Sequence, residues 1–322
     1  MTGTAVFRRN LIVLTMAQSL GAASPPIVIS LSGLVGQQLS SDPALVTLPV
    51  SLFNLGLAMG TLPAAAVMRG FGRRNGYLLG ALIGVIAGLT AAFGIARESF
   101  AIFCTGTFAA GFYAAYVQSY RFAATDTAGS DTERARAISW VMVGGLIAAV
   151  IGPQLVIWTR EALPGTPYAG SFLSQAALAL MALPVLVLLR APRPVRGGAT
   201  SGGGRSVGQL LASPPFLLAV ASGVVSYGLM AFVMTAAPIA MVGHGHSVDH
   251  AAQGIQWHVL AMFAPSFVTG RLIARFGKER VTASGLVIIA LSAIFALAGL
   301  DIFHFYVSLI LLGIGWNFGF IG

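Results

Sequence analysis

Charge is what this 322-residue sequence has least of: only 8% of it is Asp, Glu, Lys or Arg, and nine residues are acidic. Soluble domains carry about 25% charged residues, so a chain this poor in charge cannot coat a water-exposed surface of ordinary size. Cysteine is almost missing as well. The single Cys104 excludes an intramolecular disulfide and reads as a small core residue. The acidic residues are Asp42, Glu98, Asp126, Asp131, Glu133, Glu161, Asp249, Glu279 and Asp301, and all fall at the ends of apolar stretches or between them. No carboxylate stands at mid-depth and no nucleophile–base pair is visible. This argues against an enzyme working inside a membrane, which would need reactive groups there.

What the chain does have is apolar length. It is 57% hydrophobic with 40 glycines, and its mean hydropathy is +0.86. Ten segments are long enough to cross a hydrocarbon core: 10–36, 44–68, 76–96, 100–122, 137–158, 168–190, 215–241, 251–273, 280–299 and 302–322. Crossing takes about 20 helical residues, and backbone groups in lipid must pair within their own segment, so these are predicted helices. Barrel strands would alternate and be about half as long. Arg8 and Arg9 before "LIVLTMA" imitate a signal peptide. The apolar run continues through "PPIVISLSGLVG", however, and reads as an uncleaved first helix.

The formal charge of +9 comes from 18 basic residues. They sit in short runs between apolar segments, with no basic domain, so a nucleic-acid partner is not expected. With the N-terminus in the cytoplasm, 16 of the 18 fall on the cytoplasmic side and only Arg97 and Arg160 on the other. That bias sets the expected orientation in a bacterial inner membrane. Among the 18 only Lys278 is a lysine, a balance typical of GC-rich bacteria.

Three of the arginines crowd into "MRGFGRRNG", residues 68–76, and their spacing recurs: Phe71 and Gly72 match Phe276 and Gly277, 205 residues later. Between the copies, "RAPRPVRGGATSGGGRS" has linker composition. The expected plan is a six-helix half over 1–190, a cytoplasmic linker over 191–213, and a second half over 214–322.

On these residues the chain resembles the major facilitator superfamily. That family joins two six-helix halves by a cytoplasmic loop and carries a Gly-x-x-x-Asp-Arg-x-Gly-Arg-Arg signature after its second helix, with an echo after its eighth. Here Gly72, Arg73 and Arg74 keep the pattern while Arg69 replaces the acid, and "GRLIARFGKER" keeps Gly270, Leu272, Arg275, Gly277 and Lys278. The resemblance implies an all-α polytopic bundle of two pseudo-repeated halves. The sequence reaches Gly322 within the tenth helix, two spans short of the twelve-helix plan.

The resemblance also implies secondary transport of a small organic solute by alternating access, coupled to protons, by a monomer without cofactor or bound metal. Arg73 or Arg74 is expected to pair with Asp126 as a conformational latch, with Arg275 and Lys278 as the echo. These arginines also suit contacts with lipid phosphates. Gly144, Gly145 and Gly152-Pro153 partly match the Gly-Pro motif of the antiporter branch and favour export of a drug or metabolite. The alternative is uptake, because the chain also resembles bacterial riboflavin-type vitamin importers of the same superfamily. A non-transporting membrane protein is the reading of a different class.

In this family helices one, four, seven and ten line the solute cavity near the midplane. Mid-depth on those helices lie Gln18, Tyr113, Tyr116, Tyr227, Trp316 and Asn317. Each alone also reads as packing; their shared depth makes them the candidate substrate site. Arg121, near the cytoplasmic end of the fourth helix, suits an interfacial anchor better than attraction of an anionic solute, and His258 reads either as a hydrogen-bonded packing residue or as the candidate proton carrier. His244, His246 and His250 with Asp249 lack a recognised ligand spacing and read as a solvated loop. Ser130 and Glu133 fit a capping box.

Overall fold

The computed structural model of the protein describes residues 3–126, 128–190 and 207–321. Among them there is no strand. The linker read at 191–213 lies for the most part outside the described residues. The first half comprises α1 (Gly3–Gly21), α2 (Ser24–Leu39), α3 (Leu48–Phe71), α4 (Arg73–Ala96), α5 (Phe100–Gln118), α6 (Tyr120–Ala123), α7 (Asp131–Thr159) and α8 (Ala169–Val187). A short α9 (Val207–Leu211) precedes α10 (Pro214–Gly243), α11 (Val248–Phe263), α12 (Ser266–Phe276), α13 (Lys278–Ala298) and α14 (Ile302–Ile321). Nine helical stretches among the described residues are long and apolar enough to cross a membrane. The pair α11 and α12, bent by 42°, makes a tenth.

Two expected spans are broken, and proline marks both breaks. Pro25 and Pro26 open α2, so the first span is α1 plus α2. Pro265 separates α11 from α12. Proline removes a donor and clashes with the preceding turn, which stops or kinks a helix. Pro63, Pro153, Pro184 and Pro238 are instead carried inside helices.

The internal repeat has a shared backbone signature. Gly72 caps α3 and opens α4 at φ 82°, ψ 158°. Gly277 does the same between α12 and α13 at φ 85°, ψ 153°. Only glycine adopts this region without strain of roughly 1–3 kcal/mol. The two "FG" copies are thus the same tight helix–helix turn built twice. Ser130 caps α7 by accepting from the Glu133 amide at 3.2 Å. The Glu133 carboxylate accepts from Gly129 N at 2.7 Å rather than from the cap residue's own amide.

Helices α4 and α5, α3 and α5, and α4 and α8 form the tightest pairs of the first half, and α13 and α14 the tightest of the second. The halves meet where α2 and α7 pack on α10 and α11. Ile239 of α10 fits against Gly33 of α2, where an added Cβ would fall 2.6 Å from the isoleucine Cδ1. Beyond the Pro265 break, α12 packs on α13 and α14.

Candidate functional site

A cavity of about 180 Å³ lies between the halves. Its wall repeats one helical face from each of several spans. Ala114, Val117, Gln118 and Arg121 follow the i, i+3, i+4, i+7 stripe of α5 and α6. Tyr227, Met230, Ala231, Met234 and Thr235 give the same stripe on α10, and Trp316 and Phe320 stand one turn apart on α14. Gln18 and Asn54 contribute amides from α1 and α3. The rings of Trp316 and Phe320 stack, with centroids 4.8 Å apart and planes 12° apart. Tyr227 stands 6.3 Å from Phe320. The methionines Met142, Met230, Met234 and Met262 supply an adaptable apolar wall.

Of the six residues picked by depth, Gln18, Tyr227 and Trp316 line this cavity. Tyr113, Tyr116 and Asn317 are not among its lining residues. The two tyrosines belong to the core of the first half, where their rings fill notches in α4. A Cβ on Gly84 would lie 2.6 Å from Tyr113 Cδ1, and one on Gly80 would lie 2.6 Å from Tyr116 Cγ. Asn317 is fully buried and ties α14 to the α11–α12 break. Its Nδ2 donates to the Met262 carbonyl at 2.7 Å and to Ser266 Oγ at 2.7 Å, while Thr269 Oγ1 lies 2.6 Å from its Oδ1. It thereby occupies a carbonyl that the helix break would orphan.

Arg121, not among the residues picked by depth, also lines the cavity. The signal was present: Gln118 and Arg121 are three residues apart and extend one polar stripe. His258 is fully buried outside the lining, with Nδ1 2.8 Å from the Leu309 carbonyl and Nε2 without a partner among the described residues.

At the Gly72 end, Arg73 pairs with Asp126 through Nε and through Nη2, the latter 2.9 Å from Oδ1. Arg73 also reaches Tyr77 Oη at 3.3 Å, and Tyr77 in turn stands 3.1 Å from Ser119 Oγ. Arg74 is exposed and is not the partner. Arg275 stacks on Phe276 at 5.2 Å, and Lys278 is exposed. This ion pair joins the start of α4 to the segment after α6, so it lies within the first half.

At the far end of α7 the halves are pinned together. Arg160 Nε donates to Asp249 Oδ1 at 2.8 Å, across the gap to α11. One turn and a half earlier, Gln154 Nε2 donates to Gln256 Oε1 at 2.9 Å. The histidine loop is divided among separate partners: His244 Nδ1 lies 2.7 Å from the Ala240 carbonyl and His246 Nε2 lies 2.8 Å from the Leu300 carbonyl. No group of His, Cys, Asp and Glu able to hold a metal occurs among the described residues. Gly144 and Gly152 of the Gly-Pro motif face α1 and the start of α2, whereas Gly145 faces Phe263 of α11. A Cβ on Gly144 would meet Gln18 Cβ at 3.0 Å, and one on Gly152 would meet the Ala23 carbonyl at 2.7 Å.

Comparison with known proteins agrees with this architecture. The riboflavin transporter RfnT of Brucella anthropi is 71% identical over 323 residues, covering 100% of this chain and 81% of its own. YdeG of Bacillus subtilis, an uncharacterized transporter, is 30% identical over 98% of this chain and 77% of its own. Among solved structures, the nucleoside transporter NupG matches with a TM-score of 0.68 at 16% identity, over 96% of this chain and 80% of that one. A bacterial homologue of the human lysosomal transporter Spinster, inward-facing and unoccupied, matches with a TM-score of 0.67 at 18% identity, over 98% and 74%. The family model of the Major Facilitator Superfamily matches residues 11–322. The chain is a multi-pass membrane protein and belongs to the major facilitator superfamily.

Proposed function

We propose that this protein carries riboflavin, or a closely related flavin, into the cell by alternating access. The observation that carries the reading is the 71% identity to a riboflavin transporter over the whole chain. The cavity suits such a solute chemically. A flat tricyclic ring matches the stacked Trp316 and Phe320 and the nearby Tyr227, and amides at Gln18 and Asn54 match its carbonyls and hydroxyls. Uptake takes the place of the export reading because the relative 71% identical over the whole chain is a riboflavin transporter, and riboflavin is the solute of the uptake alternative.

In this reading the Arg-rich end is cytoplasmic, as the 16-to-2 distribution of basic residues favours. The Arg160–Asp249 and Gln154–Gln256 contacts then close the outer side, and the cavity, with Arg121 near its inner end, faces the cytoplasm. The cavity lining holds no carboxylate to carry a coupling proton, so His258, with its unpartnered ring nitrogen, is the proposed carrier. His258→Gln is then expected to abolish accumulation driven by a pH gradient while sparing exchange of labelled for unlabelled solute. Gradient-driven accumulation at the parental level would remove His258 from the mechanism.

The function itself is tested by expressing the chain in a bacterial riboflavin auxotroph that lacks its own uptake system. Growth on low-micromolar riboflavin, lost in the Trp316→Ala variant at equal membrane abundance, is the expected result. An unaltered growth requirement with the parental chain present in the membrane would refute it.

A further inference from the structure

The cavity is unbalanced both in charge and in hydrogen-bond sense. Arg121 is the one cationic residue among those lining it, and none of them is Asp or Glu. Two lining residues carry buried donors with no partner among the described residues: Nε of Arg121 and Nε1 of Trp316. Guanidinium and indole N–H groups can only donate. The carboxylate closest to Arg121 in sequence, Asp126, is held by Arg73 through two nitrogens. The Arg121 guanidinium lies over the ring of Phe122, 5.0 Å from its centroid. Such a contact spreads the charge without supplying an acceptor.

A buried donor left without an acceptor costs about 1–3 kcal/mol, and more when it is charged. An unneutralised guanidinium in a low-dielectric wall also repels any second cation. Both deficits are relieved by one kind of guest: a molecule whose body stacks on Trp316 and Phe320 and whose edge presents acceptors or negative charge.

We infer that Arg121, with Trp316, sets the solute selectivity of this carrier: it admits planar molecules with an acceptor or anionic edge and excludes planar cations. The inference rests on this cavity being the solute site, and it does not depend on riboflavin being the solute. It is opposite in sign to what an exporter of cationic aromatic drugs would need.

The test is equilibrium binding of three planar fluorescent probes to the full chain in lipid nanodiscs: neutral, carbonyl-bearing riboflavin, anionic fluorescein and cationic ethidium. The parental protein is expected to bind riboflavin and fluorescein at least about tenfold more tightly than ethidium, the equivalent of one charge-assisted hydrogen bond. Arg121→Gln is expected to weaken fluorescein and riboflavin by about tenfold and to let ethidium in, a gain that mere loss of structure would not produce. Arg121→Lys, which keeps the charge but not the fork, should still exclude ethidium while binding riboflavin less well.

Parental protein that binds ethidium as tightly as fluorescein overturns the inference without recourse to any variant. So does an Arg121→Gln protein of unchanged melting temperature that keeps the parental order. Discrimination of fluorescein from ethidium that depends on Arg121, with no riboflavin binding, would uphold the inference and refute riboflavin as the solute.

Discussion

Tyr113 and Ala114 are adjacent on one helix, yet the first fills a notch in a neighbouring helix and the second lines the cavity. Successive residues on an α-helix are rotated by about 100°, so equal depth does not mean equal facing. Depth was legible from the sequence, because helix ends are marked by charge and proline, and three of the residues it picks, Gln18, Tyr227 and Trp316, line one cavity. Facing was not, because α5 is apolar all round and its small residues hide which side meets which neighbour. The glycines of α4 held that information: Gly80 and Gly84, four apart, receive Tyr116 and Tyr113. The Tyr113 hydroxyl is buried without a partner among the described residues, so its removal should cost nothing. Tyr113→Phe is expected to leave uptake unchanged and thermal stability equal or slightly higher, since an unsatisfied buried hydroxyl is itself destabilising. A tenfold loss of uptake in that variant would return Tyr113 to the solute site.

Helix-to-helix turns are the second scale, and here sequence and structure agree closely. The Gly72 and Gly277 turns, at φ 82° and 85°, were visible as a repeated "FG" before a basic residue, because a conformation open only to glycine leaves a glycine in the sequence. Gly72→Ala and Gly277→Ala should each destabilise the protein by about 1–3 kcal/mol, read as a lower melting temperature in detergent. The Arg73–Asp126 pair beside the first turn is partly exposed, at 28% for each side chain. It is therefore worth on the order of 1 kcal/mol or less in stability, and its expected importance lies in turnover. Asp126→Lys should slow uptake several-fold with abundance intact, whereas Arg74→Ala, at an exposed side chain with no ion pair among the described residues, should not. Uptake unaffected by Asp126→Lys would leave the pair as a static staple. What composition could not reveal at this scale was the α11–α12 break being held by Asn317, since a buried amide bonded to a carbonyl has no periodic signature.

Across the whole molecule, the two halves touch at one end and leave a cavity lined from both. At that end the packing of α2 and α7 on α10 and α11 is reinforced by specific contacts: Arg160 with Asp249, Gln154 with Gln256, and Ile239 on Gly33. Transport by alternating access requires them to part. In a chain with Cys104→Ser, the pair Gln154→Cys and Gln256→Cys should cross-link under mild oxidation and stop uptake, with recovery on reduction. Cross-linked protein that still transports would show that this end does not open.

The most direct test of the central claim is counterflow in proteoliposomes that contain only this chain. Vesicles preloaded with unlabelled riboflavin and diluted into a trace of labelled riboflavin should take up label transiently. Trp316→Ala should raise the concentration needed for half-maximal uptake by roughly tenfold, the magnitude of one lost aromatic contact. No uptake of label above that of empty liposomes, with the protein folded and inserted, would contradict the account.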